Sequence, residues 1–182
     1  LSASGQGGDD VMEIPNMIYA DPDFDYLSMS LVEGGATKDG YGWDNLIDND
    51  VFGANCKVLA EPSDARAVFA FDDEATIHKI RLLIDTAEPH EYCTDWTDEI
   101  KISGAMSLED EFVEIFHGDL EKKKDGEWHL FELEQPATAK YIQVELLSSI
   151  GDDAFYREIA ELQCFGSVKH PDIVVEPDTL FF

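Results

Sequence analysis

Apolar and polar residues alternate in short runs along most of this chain, with a period of two. Glu99-Ile-Lys-Ile-Ser103 alternates strictly. In Tyr141-Ile-Gln-Val-Glu-Leu146, Ile142, Val144 and Leu146 share one side, while Gln143 and Glu145 share the other. That period places successive side chains on opposite faces of a strand. The same reading predicts strands over 26–32, 67–71, 77–84, 112–116, 128–133 and 159–165. Turn signals fall between the runs: Glu88-Pro89, Lys124-Asp125-Gly126, Gln135-Pro136 and Gly151-Asp152. No long stretch carries a helical period, and a short helical turn near Trp43–Ile47 is the best candidate. Short strands separated by turns predict an all-β, antiparallel sandwich or barrel.

A chain of 182 residues fits one such domain with modest tails. Residues 1–26 read as a tether and irregular lead-in, 27–166 as the sandwich, and 167–182 as an extended tail or the start of a following domain. The Gly-rich opening, Leu1 to Asp10, has the composition of a tether left after removal of a secretion signal or lipoprotein anchor, and equally of a cloning remnant. The tail carries Pro171 and Pro177 and ends on Leu180-Phe-Phe182, like the first strand of a further domain. The expected setting is therefore a larger multidomain protein, secreted or held at the cell surface.

Charge narrows the partners. Forty acidic against twelve basic residues give a net charge of −28. Such a surface repels phosphates and anionic membranes, which argues against nucleic acid and lipid ligands. No apolar run is long enough to span a bilayer, so no membrane insertion is expected. Three cysteines permit at most one internal disulfide. Cys56 and Cys93 fall on loops or strand starts, and their pairing is the favoured one. Cys164 sits in an apolar run and suits a buried thiol.

Several segments, in order, carry a family resemblance: Trp43-Asp-Asn-Leu-Ile-Asp-Asn-Asp50, the apolar strand Ala67–Phe71, Ile77-His-Lys-Ile-Arg-Leu-Leu-Ile84, Ala139-Lys-Tyr-Ile-Gln-Val-Glu-Leu146, and Glu158-Ile-Ala-Glu-Leu-Gln-Cys-Phe-Gly166. Together they resemble the coagulation factor 5/8 type C family, the discoidin-like or galactose-binding-like domains related to family 32 carbohydrate-binding modules. The match runs over roughly 27–166, and the resemblance implies an antiparallel β-sandwich of the jelly-roll kind. The family's Asp-Gly-Asp turn is Asp48-Asn49-Asp50 here, and Asn tolerates the same left-handed backbone.

The resemblance implies a non-catalytic extracellular module that recognises carbohydrate, with a protein–protein adhesion or spacer role as the alternative. It implies a structural calcium held by Asp48, Asp50 and Glu161, with nearby carbonyls assisting, since calcium takes several hard oxygens in flexible geometry. Ligands of this fold bind loops at one end of the sandwich. Sugar sites combine a ring against apolar C–H surface with polar groups that read hydroxyls. The loops with that composition supply His90, Tyr92 and Trp96, then Tyr156 and Arg157 beside Phe155, with Trp43 and Tyr41 in reach. Trp96 and Phe155 can instead pack under their own loops. No phosphate loop, HExxH or G-x-S-x-G motif supports an enzyme. Carboxylate counting has no power in so acidic a chain.

Overall fold

The computed structural model describes residues 21–52, 56–85, 94–121 and 127–169. Nine strands fall within them: β1 (Asp25–Tyr26), β2 (Met29–Gly34), β3 (Val58–Ala60), β4 (Arg66–Leu83), β5 (Thr97–Ala105), β6 (Val113–Asp119), β7 (His129–Ser149), β8 (Arg157–Ile159) and β9 (Glu161–Val168). All strand pairings are antiparallel. The only helical elements among the described residues are 3-10 turns at Trp43–Leu46 and Pro62–Asp64. The first falls where the sequence predicts a helical turn.

Two strands are much longer than the alternation predicts. The expected runs 67–71 and 77–84 are one strand, β4, and 128–133 and 141–147 are one strand, β7. Each changes neighbours halfway. The first half of β4 pairs with β2 and with the far end of β7, and its second half pairs with β9 and the near end of β7. The changeover is marked by register shifts between Ala70 and Ala75 and between Ile77 and Lys79. Asp72-Asp73 and Gln135-Pro136 lie at these bulges. A bulge accepts proline because no ladder hydrogen bond is required of it there. The turn signal at Gln135-Pro136 thus marks a bulge inside a strand.

Bent strands let one hydrogen-bonded sheet, in the order β1-β9-β4-β7-β5-β6, supply both layers of a sandwich. Phe69, Ile77, Ile80, Leu82, Ile100, Ile102, Ile142, Val144, Leu146 and Leu162 meet in a single buried cluster. The inward residues of the two clearest alternations, Ile100 with Ile102 and Ile142 with Val144 and Leu146, are buried. The lead-in is tied to β4 by Asp21, which accepts from Lys79 Nζ at 2.7 Å, and by Phe24, which stacks on His78 with centroids 4.2 Å apart.

Gly166 shows how closely β9 approaches β4. A Cβ there would lie 1.9 Å from the Thr76 carbonyl oxygen, closer than atoms can approach. Gly166→Ala must push β9 from β4, and we expect a loss of at least about 2 kcal/mol in urea unfolding. An unchanged midpoint would show that the two strands can separate without cost.

Candidate functional site

One edge of the sandwich gathers exposed and half-buried aromatic and cationic side chains. The loop after β2 is stitched to β3: Thr37 bridges Ala60, Lys38 N donates to Leu59 O (2.9 Å), and Leu59 N donates to Tyr41 O (3.2 Å). The turn between Lys38 and Tyr41 needs Gly40, whose φ is +81°. β3 in turn pairs with β8, so this loop lies beside the segment entering β8. That second loop, 150–156, is pinned by Asp95, whose Oδ1 accepts from the amides of Phe155 (2.9 Å) and Tyr156 (3.3 Å). Gly151 N also donates to Thr94 O (2.9 Å).

The two loops bring Lys38, Tyr41 and Tyr156 together. The Lys38 ammonium lies 5.0 Å from the Tyr41 ring centroid and 5.9 Å from that of Tyr156. Phe155, next in the chain, is 82% exposed. An apolar ring held in solvent by a backbone fixed at two amides has an unmet packing demand. Arg157 is half-buried at the same edge, where its guanidinium donates to the Leu146 carbonyl.

Trp43 and Trp96 point the other way. Both are 3% exposed and belong to the core, and the Trp43 indole donates to Gly35 O at 3.0 Å. Rings so enclosed fill the interior in place of the ligand-stacking role expected of them. Their position at strand and loop ends made both roles compatible with the sequence. His90, Tyr92 and Cys93 lie outside the described residues, so the expected Cys56–Cys93 bridge does too. Cys56 and Cys164 are buried. Burial pushes the Cys164 thiol up to about 12, so it is neutral at physiological pH.

Beneath the edge lies a charged group with no counterpart in the sequence reading. Lys57 Nζ is 2.7 Å from Glu158 Oε1 and 3.5 Å from Asp85 Oδ1, and all three side chains are buried. Lys57 precedes β3, Asp85 follows β4, and Glu158 sits in β8. Burial holds the Glu158 carboxyl above its ordinary range against the pull of Lys57. Burial is the strongest single influence on the Lys57 ammonium and lowers it, but the charges and hydrogen bonds of Glu158 and Asp85 together outweigh it, and the net shift is upward. A lone lysine ahead of Val58-Leu-Ala60 was the only trace of this group in the sequence.

The Asp48-Asn49-Asp50 loop folds onto β9. Asn49 takes φ 60°, the left-handed conformation expected of it. Asp50 N donates to Asp48 Oδ1 (2.8 Å), and Asn49 N donates to Glu161 Oε2 (3.0 Å). Asn49 Oδ1 accepts from Gln163 (2.8 Å), and its amide donates to the Tyr26 hydroxyl (3.2 Å). Glu161 is 0% exposed, and its Oε1 has no hydrogen-bond partner. Burial, then the charge of Asp48, pushes its carboxyl up to about 10, and burial raises Asp48 as well. A buried carboxylate oxygen without a donor is costly, and a divalent cation would offset that cost. The residues therefore suit a cation. Among the described residues no three His, Cys, Asp or Glu side chains form a ready-made metal cluster. Main-chain carbonyls would have to complete the shell.

No protein-family model and no curated protein matches the chain. Solved structures do. A family 32 carbohydrate-binding module from a family 31 glycoside hydrolase of Clostridium perfringens is similar at 18% identity, over 77% of this chain and 92% of that one, with a TM-score of 0.61. The family 32 module of NanJ from C. perfringens, solved with galactose, is similar at 15% identity over 75% and 93%, TM-score 0.57. The family 32 module of AlyQ, solved with 4,5-unsaturated mannuronic acid, is similar at 14% over 79% and 98%, TM-score 0.56. At such identities the likeness establishes the fold. The chain is a discoidin-like, galactose-binding-like β-sandwich, the architecture of family 32 carbohydrate-binding modules.

Proposed function

We propose that this chain is a non-catalytic carbohydrate-binding module of a larger extracellular protein, reading a glycan at the edge formed by Lys38, Tyr41, Phe155 and Tyr156. The observation that carries this is Phe155, a large ring held out in solvent by a loop whose backbone is fixed. Sugar rings present apolar C–H faces to such a platform, and the neighbouring hydroxyls and cations supply hydrogen bonds. The similar modules solved with galactose and with an unsaturated mannuronic acid support the same class of ligand. The Asp48-Asn49-Asp50 loop and Glu161 hold a structural calcium, supported by the undonated Glu161 oxygen.

Phe155→Ala tests the reading. Removing a central aromatic anchor costs about 2 kcal/mol, or roughly thirtyfold in affinity. The melting temperature should stay within about 1 °C, since the ring is exposed. Isothermal titration with a glycan found on an array gives the affinity, and equal affinity of variant and wild type would refute the platform.

A protein–protein adhesion role draws support from a different face. Met106 and Leu108, in the β5–β6 connection, and Val113, at the start of the edge strand β6, are all exposed. Array silence combined with a protein partner blocked by Val113→Lys would favour that role.

A further inference from the structure

Three lysines on the body of the sandwich are matched to carboxylates. Lys79 pairs with Asp21, Lys101 with Glu145 and Lys140 with Asp73. In a chain of net charge −28 this is the expected outcome, since nearly every surface position has an acid close by. Lys38 departs from it. Among the described residues no carboxylate lies within the 4.0 Å that defines an ion pair, and its ammonium rests over the rings of Tyr41 and Tyr156 instead. Arg157, at the same edge, also has no carboxylate partner among the described residues and donates to a carbonyl.

An aromatic face attracts a cation but leaves its charge unneutralised, so all of it remains available to a ligand. Asp95, which pins the second loop, is already engaged by the amides of Phe155 and Tyr156. A neutral sugar hydroxyl can accept a hydrogen bond from this ammonium, whereas an oxyanion on the sugar would add the attraction of opposite charge to that bond. Asp39, Asp152 and Asp153, exposed in the same two loops, make the surroundings hostile to anions. An anion is therefore tolerated only in direct contact with the ammonium, which ties selection to one position.

We propose that the ligand of this edge is an acidic glycan, bearing a carboxylate or a sulfate, and that Lys38 is the residue that selects it. This rests on the carbohydrate reading of the same edge. Its new content is the class of sugar and the group that recognises it.

The test is a glycan array probed with the full chain, carrying neutral, uronate or sialylated, and sulfated members. Titration then follows with the best acidic hit and its neutral counterpart, using wild type, Lys38→Gln and Lys38→Arg. Signal should concentrate on acidic glycans, with the carboxylate and sulfate members telling which oxyanion is read. Lys38→Gln should reduce the acidic-over-neutral preference about tenfold, the factor for one charge-assisted hydrogen bond. Lys38→Arg should keep most of the preference, which loss of fold or of general stickiness would not do. Neutral glycans bound as tightly as acidic ones, or a preference unmoved by Lys38→Gln, overturns the proposal and leaves the carbohydrate reading intact. Silence across the whole array overturns both.

Discussion

Lys57→Met lowers the unfolding free energy by about 3–5 kcal/mol, the cost of leaving buried charge without its partner. The side chain it removes is one of three buried charged groups, 2.7 Å from Glu158 and 3.5 Å from Asp85. Methionine fills the stem of lysine but leaves two carboxylates facing each other inside the protein. For a chain of this size that loss corresponds to a drop of roughly 6–20 °C in melting temperature. Adding Glu158→Gln and Asp85→Asn to Lys57→Met should recover half or more of it, because neutral amides are cheaper to bury than unpaired carboxylates. Thermal and urea melts of the single and triple variants measure both effects. A single variant within about 1 kcal/mol of wild type would mean that water or main-chain groups already compensate these charges. The three residues root β3, the end of β4 and β8, so the loss should also loosen the edge that carries Lys38 and Phe155.

Chelation should produce the next largest change. A cation bound only by the native state stabilises it by about 3–4 kcal/mol when present at a hundred to a thousand times its dissociation constant. Moving from millimolar calcium to excess chelator should therefore lower the melting temperature by roughly 6–16 °C. Glu161→Gln separates this from a general effect of the chelator. With Glu161 replaced, the melting temperature should no longer respond to calcium. In chelator, the variant should match wild type, because burial pushes the cation-free Glu161 carboxyl up to about 10 and leaves it as neutral as the amide. If calcium and chelator give wild type the same melting temperature, the Asp48-Asn49-Asp50 loop is only a polar turn.

Much of the architecture was legible in the residue order. Ile142, Val144 and Leu146 alternate with Gln143 and Glu145, and that fixed which face is buried, as the core shows. Asn49 in the place of glycine announced a left-handed turn, and the backbone adopts one. Strand lengths were less legible. A bulge and a turn share the same signals, since proline and aspartate suit any position that forgoes a ladder hydrogen bond. The breaks at Asp72-Asp73 and Gln135-Pro136 thus resembled chain reversals, although β4 and β7 pass through them.

The candidate site divides along a similar line. The run Phe155-Tyr156-Arg157 advertised itself by composition. Lys38 did not, because an isolated lysine in a Gly-rich loop has no local pattern. Its meaning comes from two rings, one close in sequence and one far away, that the pairing of β3 with β8 sets around it. The same holds for Lys57, whose acids lie 28 and 101 residues onward, at Asp85 and Glu158.

Periodicity, turn chemistry and charge by themselves determined an acidic, antiparallel all-β chain, and the family resemblance added the sandwich and the left-handed turn at Asn49. Whether an aromatic faced the core or the solvent was left to the tertiary structure. Trp43, Trp96 and Phe155 all sit at strand or loop ends, where either outcome satisfies the local pattern. Only the packing of the two layers, and the anchoring of the Phe155 loop by Asp95, enclosed the first two rings and left the third exposed. The physical reason is range: alternation acts between neighbours along the chain, whereas burial and the neutralisation of charge depend on contacts that only folding brings together.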